Sequence, residues 1–323
     1  MKVLIVKMSS MGDVLHTLPA LTDAQLAIPN IEFDWLVEEA FAEIPSWHEN
    51  VHNVIPIAWR RWRKSIFTLF LNPEWQQFRT SLKEKQYDYI IDAQGLIKSA
   101  LITRMAHGIR CGFARNSARE GLASLAYQKT FTINTSQHAI MRTRQLFAAA
   151  LNYSFTPQTI DYGIKQDIAT TSLPLPTNYS VFIANTSQTN KRWPIVKWRE
   201  LISKMLVAKQ NIIMPSGYAH EREYIKKIAA GFENVTILPK SSLQQMRTII
   251  AASQSIVSVD TGLAHLAAAL DKPTITLYGP TNIQLIGTTG KHQIHLLANG
   301  HHVNIPPEQV WQHLKPLLYL HHH

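Results

Sequence analysis

The residues Ser258-Val259-Asp260-Thr261-Gly262-Leu263-Ala264-His265 follow a β-branched run and open an Ala-rich stretch that ends at Asp271-Lys272-Pro273. Read as a strand-to-helix turn, they form a seat for an anion. The first N–H groups of a helix have no intrahelical partner, and its start carries a partial positive charge. Gly262 lets an oxygen approach the backbone, Thr261 adds a hydroxyl, and His265 lies one turn further along the same face. A bare N-cap at Asp260 or Thr261 with a packed His265 would look the same, and this segment alone leaves both open. A second loop favours the anion. Val181 to Ala184 reads as a strand ending in Asn185-Thr186-Ser187-Gln188, with Lys191 just beyond and Pro194 at a first helical position. Hydroxyls and a lysine at the carboxyl end of a strand suit a diphosphate. A third strand-to-helix loop, Pro215 to Glu221, brings a carboxylate. Glu221 either accepts hydrogen bonds from sugar hydroxyls or complements a helix dipole.

Near the N-terminus, Lys7-Met8-Ser9-Ser10-Met11-Gly12-Asp13-Val14 follows the first strand. Gly12 permits close approach, and Asp13 stands where a helix begins, as an N-cap or as a general base that takes a proton from a hydroxyl. Trp59-Arg60-Arg61-Trp62-Arg63-Lys64 packs four cations and two indoles into six residues. Arg60, Arg61, Arg63 and Lys64 suit phosphates or carboxylates, and the indoles suit a membrane interface. Arg119, His138 and Arg142 are further candidates for the same acidic ligand. The competing readings are a solvated helix face and a nucleic-acid surface. The latter is weakened by the shortness of the cluster and by the lack of an RNA-binding motif.

The elements that must hold these residues alternate β-rich runs with helical stretches, an α/β pattern of parallel sheets. In the first half the strands are Lys2 to Val6, Phe33 to Val37, Val54 to Pro56 and Tyr89 to Asp92. Helices start near Val14, Pro73 and Gly95, and one spans His138 to Leu151. Periodicity fades over Asn152 to Asn178, where Pro157, Pro174 and Pro176 mark a linker. A second series follows, with strands at Ser180 to Ala184, Asn211 to Met214, Val235 to Leu238, Ser255 to Val259 and Pro273 to Tyr278. Its helices are Ile195 to Ala208, His220 to Ala230, Leu243 to Ala252 and Thr261 to Leu270. The expectation is two doubly wound, Rossmann-like domains, 1–160 and 161–323, facing a central cleft, with a C-terminal helix that packs back on the first.

With 323 residues, two cores are the natural division. The longest apolar runs fall well short of the ~20 residues of a membrane span, and no secretory h-region follows Met1. A lone Cys111 excludes an internal disulfide and a thiolate cluster, which fits a cytoplasmic protein. Lys and Arg number 32 against 22 Asp and Glu, a formal +10 that favours acidic partners. A nicotinamide dehydrogenase would need Gly-x-Gly-x-x-Gly after an early strand, and Lys7 to Asp13 has one glycine. A basic, non-enzymatic lipid or nucleic-acid adaptor stays open on composition. His321-His322-His323 has the look of an appended tag and carries no function here.

The Ser-Ser-Met-Gly-Asp-Val-Leu-His-Thr-Leu-Pro-Ala-Leu loop, Asp92-Ala93-Gln94-Gly95-Leu96 with Lys98-Ser99, and Val259 to His265, in this order, resemble bacterial lipopolysaccharide heptosyltransferases over nearly the whole chain. The resemblance implies the GT-B fold, with acceptor held by the first half and donor by the second. It implies transfer of heptose from ADP-L-glycero-β-D-manno-heptose to the first Kdo of Kdo2-lipid A, with inversion. Asp13 would be the base. Thr186, Ser187, Lys191, Glu221, Asp260, Thr261, Gly262 and His265 match donor positions. Lys191 would neutralise the departing diphosphate and the Thr261 and Gly262 N–H groups would hold its oxygens, so no metal or other cofactor is required. Ser10, Gly12, Arg60, Arg61, Arg63, Lys64, Arg119, His138 and Arg142 would serve the acceptor. Ser187 departs from relatives that often carry threonine there, which keeps the hydroxyl. The expected enzyme is a monomer, peripheral on the cytoplasmic face of an anionic inner membrane, and not a partner of nucleic acid.

Overall fold

Val3, Leu4, Ile5 and Val6 are wholly buried, as befits a strand covered on both faces, and they lie inside a parallel sheet. The computed structural model describes residues 1–64, 71–165, 173–186, 188–298, 300 and 303–319. Ser187 and the terminal histidines lie outside the described residues. The chain divides into two units, 1–165 and 166–323.

The first unit runs β1 (Lys2–Val6), α1 (Met11–Leu15), α2 (Leu18–Ala27), β2 (Glu32–Glu38), β3 (Val51–Ile57), α3 (Trp59–Trp62), α4 (Pro73–Glu84), β4 (Gln86–Asp92), α5 (Ile97–Thr103), β5 (His107–Phe113), a 3-10 turn (Gly121–Ala126), β6 (Lys129–Phe131) and α6 (Ala139–Leu151). Its sheet has the order β3-β2-β1-β4-β5-β6, all parallel. Leu4, Val6, Leu36 and Ile90 from the strands meet Trp62, Trp75, Phe78 and Leu82 from the helices in one core. Each such large side chain removed from water contributes roughly 1.5–3 kcal/mol before entropy is counted. Asn72 caps α4 by accepting from Glu74 N at 2.9 Å, and Pro73 occupies a position where no donor is needed. Arg144 on α6 pairs with Asp23 on α2 at 2.6 Å, both nearly buried.

The second unit runs β7 (Tyr179–Ile183), α7 (Ile195–Val207), β8 (Asn211–Met214), α8 (Ala219–Ala229), β9 (Val235–Ile237), α9 (Leu243–Ala252), β10 (Ser255–Val259), α10 (Gly262–Ala269), β11 (Thr274–Tyr278), α11 (Ile283–Ile286), β12 (Gln293–Leu297) and α12 (Pro307–Leu317). Its parallel order, β12-β11-β10-β7-β8-β9, is the first sheet's order repeated within the second unit. The C-terminal helix, expected to return to the first half, places Val310 and Leu314, with Leu318 just after it, in the second unit's own core, with Trp193, Trp198 and Leu277.

Three strands go beyond those expected. β5 carries Gly108, Arg110 and Gly112, β6 is three residues long, and β12 carries Gln293 and His295, so none shows the apolar run that marks a buried strand. The helix expected near Val14 is two, α1 and α2, meeting at His16 and Thr17. The helix expected near Gly95 begins at Ile97, because Gly95 sits at φ +66° and Leu96 is extended. Among the described residues no helix is long and apolar enough to cross a membrane.

Candidate active site

In the first sheet the winding reverses between β1 and β4, so the loops leaving Val6 and Asp92 diverge and open a crevice at the carboxyl edge. Two side chains lock these loops together. Lys7 Nζ donates to Ala93 O at 2.8 Å, and Gln94 Oε1 accepts from Met8 N at 3.0 Å and Ser9 N at 3.2 Å. Asp92, fully buried, accepts from Gln94 N at 2.8 Å, Gly95 N at 3.0 Å and Tyr127 Oη at 2.7 Å. Burial pushes its carboxyl up despite these bonds. Asp92 therefore shapes the loop rather than facing solvent.

Asp13 is the third residue of α1. Its Oδ2 accepts from Ser10 N and Ser10 Oγ, each at 3.0 Å, and its Oδ1 lies 3.7 Å from Arg119 Nη2. Asp13 is thus not the N-cap of α1, which is Ser10; it closes the capping box with one oxygen and leaves the other outside the cap. Burial alone would raise its pKa, but Lys7, Arg119 and the Ser10 bonds together outweigh that and hold it below the ordinary carboxylate range. Lys7 is itself lowered by burial, against the pull of Asp13 and Asp92. The result is an ionised carboxylate in a poorly hydrated pocket of opposite charge.

The other first-unit candidates are used unequally. Arg61 pairs with Glu74 at 2.7 Å and Glu39 at 3.3 Å, whereas Arg63 and Lys64 are exposed and Arg60 lies over the Phe41 ring. Burial lowers Lys98, which also feels Glu38, Arg63 and Arg60, so these charges share one neighbourhood. Trp62 corrects the interfacial expectation: it is buried against Trp75 and Phe78, and its Nε1 donates to Glu74 at 3.1 Å. Arg142 spans Ser117 O and the Phe113 ring, and His138 caps α6 while facing His16 at 5.3 Å. Gly12 and Ser10 lie at the start of α1, beside Asp13.

In the second sheet the winding reverses between β7 and β10, bringing together the loops that carry Thr186 and Lys191 and the Asp260 turn. Lys191 Nζ donates to Asp260 Oδ2 at 2.7 Å, Thr281 Oγ1 donates to the same oxygen, and Thr186 Oγ1 donates to Asp260 O at 3.2 Å. Asp260 thereby holds Lys191 and Thr281 together. Thr261 is the N-cap residue of α10, but its hydroxyl makes no capping bond, and Gly262 begins the helix. The N-terminus of α10 therefore has no side-chain cap, and its first N–H groups are of the kind that can bind an anion. His265 is buried on the first turns of α10. Glu221 Oε2 accepts from Tyr218 N at 2.9 Å, so one of its oxygens serves the α8 cap. The sequence alone assigned no role to Lys7, Gln94 or Thr281. Lys7 had a signal, a lysine at a strand end like Lys191, whereas Gln94 and Thr281 acquire meaning only from neighbours distant in sequence.

Two six-stranded, doubly wound parallel sheets are the GT-B arrangement, and the chain is a glycosyltransferase of that fold. Residues 75–310 match the model of Glycosyltransferase family 9 (heptosyltransferase), and the chain belongs to that family. It is 54% identical to lipopolysaccharide heptosyltransferase 1 of Escherichia coli over 299 residues, covering 91% of this chain and 92% of that protein. The corresponding protein of Pseudomonas aeruginosa is 50% identical, over 92% of this chain and 83% of its own. Among solved structures, the E. coli heptosyltransferase WaaC with ADP superposes at a TM-score of 0.93 with 50% identity, covering 98% of this chain and 100% of that one. WaaC with ADP-2-deoxy-2-fluoro heptose gives 0.90 with 49% identity, covering 98% and 99%.

Proposed function

We propose that this enzyme transfers L-glycero-D-manno-heptose from ADP-heptose to the first Kdo of Kdo2-lipid A, in building the inner core of lipopolysaccharide. The observation that carries the donor half is the Lys191–Asp260–Thr281 cluster beside the open start of α10. A lysine held by a buried carboxylate and unpaired helix N–H groups are the donors a nucleoside diphosphate needs. Relatives solved with ADP and with an ADP-heptose analogue support the same ligand.

In the reaction Asp13 takes the proton from the Kdo hydroxyl as its oxygen bonds to the anomeric carbon. The bond from that carbon to the ADP oxygen breaks, and attack from the opposite side inverts the centre. Negative charge grows on the ADP oxygens, where Lys191 and the Thr261 and Gly262 N–H groups meet it. These groups do the neutralising that a metal ion would otherwise do. Thr186, Ser187 and His265 complete the donor site, and Glu221 receives sugar hydroxyls through the oxygen not used in the α8 cap. Residues 1–160 serve the acceptor, with Ser10, Gly12, Arg60, Arg61, Arg63, Lys64, Arg119, His138 and Arg142 meeting its carboxylates and phosphates, and residues 161–323 serve the donor. The enzyme works as a monomer on the cytoplasmic face of the inner membrane.

The test is release of ADP from ADP-heptose in the presence and absence of a Kdo-bearing acceptor, beside UDP-glucose as a competing donor. Acceptor-dependent turnover of ADP-heptose alone is expected, and turnover of only the other sugar nucleotide would refute the donor. Lys191→Ala should raise the donor KM and lower kcat, together by about 100-fold or more in kcat/KM, the scale of one lost charge-assisted contact in the transition state. Unchanged kinetics would remove Lys191 from the site.

A further inference from the structure

We infer that the outer face of α5 and the Gly121–Ala126 turn is the surface by which the protein rests on an anionic phospholipid bilayer. Ile97 and Leu101, one turn apart on α5, are 42% and 58% exposed, and Leu122 and Leu125, aligned on the 3-10 turn, are 59% and 78% exposed. The two ridges belong to one surface. Ala100 and Ala123 meet beneath them with Tyr127, and the small side chains bring the two segments close. Glu120 fastens the pair: its Oε2 accepts from Ile97 N at 2.6 Å and its N donates to Gly95 O at 3.0 Å. Four leucine-sized side chains at these exposures present on the order of 400 Å2, about half of the ~800 Å2 that each partner buries in a stable dimer. An apolar patch of that size, too small for a second copy, suits shallow insertion among lipid chains when cations surround it.

Cations do surround it. Lys98 lies on α5 and Arg104 just after it, and Arg115 and Arg119 precede the turn, in a chain whose formal charge is +10. The acid among them, Glu120, is engaged in capping α5. Basic residues near an anionic leaflet each add about 1 kcal/mol, which complements the apolar contribution. The patch is also continuous with the reaction site, because Arg119 reaches from its edge to within 3.7 Å of Asp13. This inference rests on the proposed function for its biological sense, since an enzyme that modifies a sugar attached to lipid must present its base near the bilayer. It identifies which surface faces the lipid, and Trp62, buried in the core, is not part of it.

The experiment sediments native protein, Leu101→Ser/Leu125→Ser, and Val207→Ser with vesicles of phosphatidylglycerol mixed into phosphatidylethanolamine. Val207, 85% exposed on α7, is the control. Transfer is then measured to a Kdo acceptor without acyl chains and to a lipid acceptor in vesicles. The double variant should lose about tenfold or more in vesicle affinity, as two leucines' worth of burial requires, while Val207→Ser binds as native. The double variant should use the acyl-free acceptor at the native rate and lose a similar factor on the vesicle-borne one. Native-like sedimentation of the double variant would overturn the inference. So would self-association of the native protein without vesicles that the double substitution abolishes, which would assign the patch to a second copy. Should the native protein turn over neither acceptor while the double substitution still releases it from vesicles, heptosyl transfer fails and the lipid surface stands.

Discussion

At the scale of residues, the proposed mechanism depends on how Asp13 is kept charged in surroundings that disfavour charge. Burial raises its pKa, and Lys7, Arg119 and Ser10 bring it below the ordinary carboxylate range. A base acts when ionised, so the acid limb of kcat/KM should lie below that range, and activity should be lost only as pH falls through the lowered value. Lys7→Met removes the strongest lowering charge and leaves Arg119 and the Ser10 bonds to oppose burial. A pH profile of the variant should show the acid limb displaced to higher pH. A limb at the native position would mean that Lys7 does not set the charge of Asp13. The sequence displayed Asp13, Lys191 and Asp260 because each stands at a strand end beside glycine or hydroxyls, a pattern with local meaning. It could not display that Asp260 serves Lys191 and Thr281, since those contacts join residues 69 and 21 positions apart.

At the scale of elements, the strongly apolar strands and the capped helices were legible, and the weak strands were not. β5 shows why. Gly112 breaks its apolar run, yet a Cβ at that position would come within 2.3 Å of the Tyr127 ring. The glycine exists so that Tyr127 can cross the strand and donate to Asp92 at 2.7 Å, which in turn fixes the loop carrying Gln94. Gly112→Ala should therefore displace Tyr127 and destabilise the fold by about 1–3 kcal/mol, the usual cost of overpacking. Urea unfolding would measure it, and a variant as stable as the native protein would show that the ring moves aside freely. The 97–103 helix and the 121–126 turn illustrate a related limit: their outward leucines read as ordinary core residues until the buried alanines between them are located.

At the scale of the molecule, two series of alternating strand and helix give two sheets of the same order, and each carries its candidate loops where the order reverses. That repetition was visible in the alternation of elements, although the sheet order itself is a matter of long-range pairing that periodicity does not encode. Each unit has its own core, so ligand effects should begin in the unit that binds. ADP at about 100 times its Kd stabilises what it binds by about 2.7 kcal/mol, and slowed amide exchange should appear first at the 186–191 loop, the Asp260 turn and α10. Protection appearing instead at the Lys7–Asp13 loop would misplace the donor. The central claim, that this enzyme transfers a sugar with Asp13 as the base, is tested most directly by ADP release from ADP-heptose with a Kdo-bearing acceptor, comparing native protein with Asp13→Asn. The account predicts acceptor-dependent turnover by the native enzyme and a loss of about 100-fold or more in kcat for the variant, with donor binding intact. A variant that turns over at the native rate would contradict it.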